Sequence, residues 1–358
     1  MSGMKFGLVV HGPEAVDTGM VQHLMRFLEQ KGEVRAVMSG FTGVTAVVDA
    51  CLENVIDISK HHLPSATLPQ MDAVSDYLLL VNFAKSKETA LRFGSIVYSR
   101  IRGSITKPFV QVDHGLVIEW NGLGNELGEE IAWHMNCEII ASPEVDLMTV
   151  SGEWRRVEGV IPGENVWVNG VVVGKATDHT VFVGADASGR IVARGIELKE
   201  SGVEHLGVFD PKDAHVRSGV TRRTKSHPRV ITGARRGIRL VDHNAESAAF
   251  LCRDAAVVIA VGDDTSRSAG NILYRFGVPI VAIVDGDEDG ICTERLLTPG
   301  SVVMHMRPGT DDLVGAEVKR LLMNGHHECS DTFDIENVVD KVRRIAGDRL
   351  VEIRFSEG

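Results

Sequence analysis

The chain has no surplus of positive charge, no CxxC pair and no apolar run long enough to span a membrane. With 38 Lys plus Arg against 49 Asp plus Glu, its 358 residues carry a formal net charge of −11. That balance disfavours broad contact with nucleic acid or an anionic membrane and leaves small ligands as the expected partners. Its five cysteines, Cys51, Cys137, Cys252, Cys292 and Cys329, are scattered, without metal-ribbon or redox spacing. Thiols in apolar surroundings behave as small hydrophobes, and the set points to a reducing compartment. The opening MSGMKFGLVVHG lacks a cationic leader followed by a long apolar core, so a cytoplasmic location is expected. Internal repeats, low-complexity tracts, a GxGxxG fingerprint and a P-loop lysine are also missing, which removes the commonest sequence-level routes to a nucleotide site.

What is present is an alternation of short Val/Ile-rich runs with amphipathic segments, the pattern of an open α/β sheet. KFGLVVHG, VRAVMSG, VIDIS, DYLLLVNF and KPFVQVDHG read as strands of a first, Rossmann-like domain over residues 1–145. Residues 150–208 change to short strands broken by turns. Asn169-Gly170 and Ser188-Gly189 sit between apolar runs, which predicts hairpins and a small β-rich insert serving as lid, spacer or contact in a homo-oligomer. A basic linker is expected over residues 209–240, and from residue 229 to 358 the α/β alternation restarts. The expected fold class is therefore α/β, with two open parallel-sheet domains and a small β-rich region between them.

The most informative stretch is residues 257–291, VVIAVGDDTSRSAGNILYRFGVPIVAIVDGDEDGI, in which two buried-type strands each end in carboxylates. A right-handed crossover places the ends of two parallel strands on one edge, so Asp263, Asp264, Asp285, Asp287 and Asp289 are expected to cluster there. Carboxylates crowded at close range call for a hard cation, and Mg²⁺ or Mn²⁺ is the expected cofactor. The competing account is that Asp264 or Thr265 simply caps the following helix.

Residues 216–239 invert the sign of the chain, with Arg217, Arg222, Arg223, Lys225, Arg229, Arg235, Arg236 and Arg239 and no acid. Arginine forks suit phosphate oxygens, so Arg222, Arg223, Arg235 and Arg236 are candidate phosphate-binding residues. Arginines beside a carboxylate-held metal would suit phosphoryl chemistry on a nucleotide or other small phosphorylated ligand. In the first domain, the Gly-rich SGFTGVT opens a helix whose free amides at Thr42, Gly43 and Thr45 suit an anion. His11 and His114, with Asp113 beside the second, are candidate catalytic acid and base. Two other classes stay open: a non-catalytic ligand sensor or assembly factor, and nucleic-acid processing.

The segments FGLVVHGPEAVDTG, SGFTGVTAVVDACLENVIDIS and VGDDTSRSAGNILYRFGVPIVAIVDGDEDG resemble a family of uncharacterised archaeal proteins found notably in methanogens. That resemblance implies a cytosolic archaeal setting and no particular chemistry. Residues 239–290 are also similar in layout to the Toprim domain of primases, topoisomerases and small nucleases, with Asp285-Gly286-Asp287 standing for its DxD motif. The Toprim likeness implies Mg²⁺ binding, with Asp242 or Glu246 as the first acid. The usual Glu-Gly turn is missing.

Overall fold

A computed structural model describes residues 3–59, 63–141, 150–151, 154–242, 245, 248–286, 296–330 and 334–356. The chain divides into two compact units, Met1–Ser226 and His227–Gly358.

Unit 1 opens with a doubly wound sheet. Its strands are β1 (Met4–His11), β2 (Gly32–Ser39), β3 (Ile56–Asp57), β4 (Tyr77–Val81), β5 (Phe109–Asp113), β6 (Leu116–Glu119) and β7 (Glu138–Ala141), in spatial order β3-β2-β1-β4-β5-β6-β7. All neighbours pair in parallel except β5 and β6. The interleaved helices are α1 (Glu14–Asp17), α2 (Met20–Glu29), α3 (Thr42–Asp49), α4 (Pro64–Asp72), α5 (Lys87–Ile101) and α6 (Asn125–Met135). Strands β4, β5 and β6 are buried along nearly their whole length, which explains why they read as unbroken apolar runs rather than alternating ones. The direction of winding reverses between β1 and β4. Such a reversal opens a crevice at the carboxyl ends of the strands, where this class of sheet binds ligands.

The β-rich region follows. Strands β8 (Val150–Ser151), β9 (Trp154–Val157), β10 (Asn165–Val168), β11 (Val171–Ala176), β12 (Val181–Ala185), β13 (Ile191–Arg194), β14 (Ile196–Leu198) and β15 (Val216–Ser218), with helix α7 (Glu200–Leu206), form two four-stranded sheets of order β14-β11-β10-β15 and β13-β12-β9-β8. One core of Val157, Val166, Val168, Val173, Val181 and Val183 lies between them. The Asn169-Gly170 turn joins β10 to β11 with φ of 50° and 88° at its two central residues, the left-handed pair that a tight hairpin requires. Because β15 pairs with β10, the β-rich region extends to residue 218, within the span expected to be a basic linker.

Unit 2 holds β16 (Ile238–Asp242), α8 (Ala248–Leu251), β17 (Val257–Val261), α9 (Asp263–Tyr274), β18 (Ile280–Val284), β19 (Val302–Met306), α10 (Asp311–Leu321), β20 (Glu328–Cys329), α11 (Ile335–Ala346) and β21 (Leu350–Phe355). The sheet order is β20-β16-β17-β18-β19-β21, with the four central strands parallel and both edge strands antiparallel. β17 and β18 are fully buried, and β16 through β19 share a core with Val314 and Val318 of α10 and Val338 and Val342 of α11. No described helix is long and apolar enough to cross a membrane.

Candidate functional site

In unit 2 the carboxyl ends of three adjacent parallel strands each deliver an acid. Gly262, at φ 93°, turns the chain out of β17 into α9, and Asp263 is the first residue of that helix. Asp285 directly follows β18, and Asp311 opens α10 just beyond β19. One carboxylate oxygen from each of Asp263, Asp285 and Asp311 lies within 4.8 Å of the other two. Asp263 does not cap its own helix. Its Oδ2 instead accepts the backbone N–H groups of Asp285 and Gly286, both at 2.9 Å. Asp285 accepts the Gly309 N–H through Oδ2, while its Oδ1 is buried without a hydrogen-bond partner among the described residues. Asp311, 7 % exposed, accepts the Asp312 N–H at 2.9 Å. Backbone amides thus hold one oxygen of each carboxylate, which fixes its orientation.

At an effective dielectric of about 20, two carboxylates at this separation repel by roughly 3 kcal/mol. The amino ends of α9 and α10 offset only about 1 kcal/mol each. Repulsion exceeds that offset, and a cation joining the group would relieve it. Three hard oxygen donors suit Mg²⁺ or Mn²⁺, which take carboxylates and keep their remaining positions for water and substrate.

The other expected metal residues are placed differently. Asp264, on the first turn of α9, and Asp242, at the end of β16, are not members of the group found among the described residues. Asp287, Asp289 and Glu246 lie outside the described residues. Asp311 was not anticipated. The signal for it was present, since SVVMHMRPGTDD repeats the strand-then-acid order of the two segments before it.

The arginines do not join this edge. Arg235 and Arg236 are exposed and precede β16, at the amino ends of the parallel strands, opposite the acids. There the Arg236 N–H donates to the Asp254 carbonyl at 2.6 Å, and the Ile231 N–H donates to the Arg275 carbonyl at 2.7 Å. Arg222 and Arg223 belong to unit 1 and are engaged by carboxylates at the carboxyl edge of its sheet. Arg222 bridges Asp17 and Asp49 at 2.5 and 2.8 Å, and Arg223 pairs with Glu14 at 3.2 Å while donating to the Phe83 carbonyl at 2.7 Å. These acids were not anticipated as partners.

The first-domain candidates form a relay on the same edge. Asp113 is fully buried and accepts four donors: Asn82 Nδ2 at 2.9 Å, Gln111 Nε2 at 3.0 Å, and the N–H groups of Ala84 and His114 at 2.6 and 2.8 Å. Since a carboxylate only accepts, Asn82 must turn its amide nitrogen to Asp113 and its Oδ1 to His11. His11 Nδ1 therefore donates to Asn82 at 2.9 Å, which leaves Nε2 as the basic nitrogen. Burial lowers the His11 pKa below 6.5, against the opposing pull of Asn82, Glu14 and Asp113. The imidazole stacks on Phe93 with centroids 4.5 Å apart. Asp113 touches His114 only through its backbone. The exposed His114 ring packs edge-on against Phe83 and lines a cleft of about 590 Å³ with His23, Arg26 and His134. Thr42 and Gly43 begin α3, and the Thr45 hydroxyl donates to the Thr42 carbonyl at 2.8 Å and accepts Arg222 Nη1 at 3.4 Å.

Residues 8–326 match a family described as uncharacterized proteins conserved in archaea (DUF2117). The chain belongs to that family. It is similar to an uncharacterised protein of Methanocaldococcus jannaschii, 34% identical over 364 residues that cover 97% of this chain and 98% of the relative. Among solved structures, a Listeria monocytogenes protein assigned as a UDP-N-acetylglucosamine 2-epimerase aligns over 97% of this chain and 98% of its own. The identity is 10% and the TM-score 0.21, a likeness that carries no argument. Neither the family nor the relative adds a Toprim assignment to this archaeal chain.

Proposed function

We propose that this protein is an Mg²⁺-dependent enzyme that acts on a nucleotide or another small phosphorylated molecule, by phosphoryl transfer or hydrolysis. The observation that carries the reading is the convergence of Asp263, Asp285 and Asp311 from three neighbouring strand ends to within 4.8 Å. The partnerless, buried Asp285 Oδ1 supports it, because a buried carboxylate oxygen without a donor is costly unless a cation supplies the missing charge. A divalent ion bound there would neutralise phosphate charge and lower the pKa of its water. The chain's own part is to orient the three carboxylates through the amides of Asp285, Gly286, Gly309 and Asp312.

Calorimetric titration of the metal-free protein with Mg²⁺ and Mn²⁺ tests this. Wild type is expected to bind, and Asp285→Asn and Asp311→Asn to lose most of that affinity. Equal affinity in all three removes the reading. A panel of nucleoside triphosphates and sugar phosphates, followed by phosphate release with and without Mg²⁺, separates the enzyme from a ligand sensor. The sensor would bind the metal and turn nothing over.

A further inference from the structure

Unit 1 holds an open cleft of about 590 Å³ that the metal reading does not use. We propose that it binds a mononucleotide, with Arg26 taking the phosphate and the rings of Phe83 and His114 receiving the base.

The fold puts this cleft where its class of sheet places ligands. Thr18, Gly19 and Met20 follow β1 and open α2, Phe83 lies two residues past β4, and His114 and Gly115 turn the chain from β5 into β6. Asn136 and Cys137, which connect α6 to β7, line it as well. Because β6 runs antiparallel to β5 and β7 parallel to β6, all of these segments lie at the carboxyl edge of β1, β4 and β5. The volume is within the range of roughly 300–1,000 Å³ usual for small-molecule sites.

Two helices supply the polar wall. His23 follows Gly19 by four residues and Arg26 follows His23 by three, so α2 turns these positions to one face. From α6, the His134 ring stacks on Phe27 with centroids 4.3 Å apart and lies 4.7 Å from the His23 ring. Lys31, just past α2, pairs with Glu130 of α6 at 2.5 Å and joins the same two helices a second time. The wall therefore holds two imidazoles, each with at least one N–H donor, in the same cleft as the Arg26 guanidinium. Among the described residues Arg26 has no ion-pair partner, and Asp113 is the only acid lining the cleft. The Asp113 carboxylate is already met by Asn82, Gln111 and the amides of Ala84 and His114. An arginine fork without a carboxylate matches phosphate oxygens, and the start of α2, which no side chain caps, adds the positive end of a helix dipole.

The rings decide between a nucleotide and a plain phosphate ester. Phe83 and His114 meet edge to face, with centroids 4.3 Å apart and planes at 61°. They form a flat-sided corner on which any purine or pyrimidine can stack, and Met20 and Met135 extend the apolar lining. A sugar phosphate would engage the guanidinium and leave these faces wet.

The inference does not rest on the metal reading, and its test is run in EDTA. Full-length protein is titrated calorimetrically with AMP, GMP, CMP and UMP at constant ionic strength, then with ribose 5-phosphate and the nucleoside of the tightest binder. Saturable binding of at least one mononucleotide is expected, with both fragments at least tenfold weaker. Arg26→Gln should weaken it about tenfold and His114→Ala about fivefold, for the loss of one charge-assisted contact and one stacking face. Both side chains are exposed, so either variant serves if the other misfolds. Arg190→Gln, on an exposed turn of the β-rich region, should leave affinity unchanged. Ribose 5-phosphate binding as tightly as the nucleotide overturns the base assignment, and the nucleoside doing so overturns the role of Arg26. No saturable binding of any of the four, or affinity unchanged by either substitution, overturns the site.

Discussion

At the scale of single residues, the carboxylate group sets function against stability. Asparagine at position 285 can still accept the Gly309 amide but no longer repels Asp263 and Asp311. In EDTA, Asp285→Asn should therefore unfold at higher urea than wild type, by about 1 kcal/mol, and the order should reverse in excess Mg²⁺. Urea titrations under both conditions check this, and a destabilised variant in EDTA contradicts it. Two histidines make a second prediction. His11 and His215 both have folded pKa values below 6.5, mainly through burial. Below 6.5 the unfolded chain binds protons that the native state does not, so stability should fall as the pH drops from about 7 through the folded values. His11→Asn should flatten that slope, as read from urea midpoints between about pH 7.5 and 5.5. Asp263 and Asp285 were legible from sequence because each stands at the end of a short, uniformly apolar run, Asp285 directly and Asp263 one glycine beyond. Asp311 was hidden because TDDLVGAEVKRL reads equally well as an ordinary helix start. The partners of Arg222 were illegible, since Asp17 and Asp49 lie 205 and 173 residues away and only the fold brings them to the guanidinium.

At the scale of elements, the part of the arginine-rich run around Arg222 and Arg223 is a clasp within unit 1. Arg222 and its partners Asp17 and Asp49 have side chains 11%, 9% and 4% exposed, and Thr224 adds a hydrogen bond to Asp17. Truncating the arginine removes the positive partner of two buried carboxylates, so Arg222→Ala should cost roughly 3–5 kcal/mol in chemical denaturation. Arg222→Lys should recover only part, because one ammonium cannot span both acids as the fork does. A cost under about 1 kcal/mol for the alanine variant would mean that the segment is not anchored there. Composition revealed the sign of this run but not its role. Three residues of strand with an arginine at their centre carry no period that separates β15 from a loop, and its pairing with β10 is decided by tertiary contact. The Asn169-Gly170 hairpin was legible for the opposite reason, since its backbone demand is local and the two residue types that meet it are adjacent.

At the scale of the whole molecule, each unit has its own core, the valine-rich interior of the β-rich region and the β4–β6 core in unit 1, and the β16–β19 core in unit 2. The expected α/β class is what both sheets show, and the boundary between the units falls at Ser226 and His227. Two cores should respond separately to a ligand that binds only one of them. In scanning calorimetry, excess Mg²⁺ should raise the transition of unit 2 and leave that of unit 1 in place, because a ligand stabilises only the fold that binds it, by about 2.7 kcal/mol at a hundredfold excess over Kd. Asp285→Asn should abolish the shift. If both transitions rose together, the two cores would have to unfold as one cooperative assembly, and if Asp285→Asn kept the shift, the metal would have to bind elsewhere.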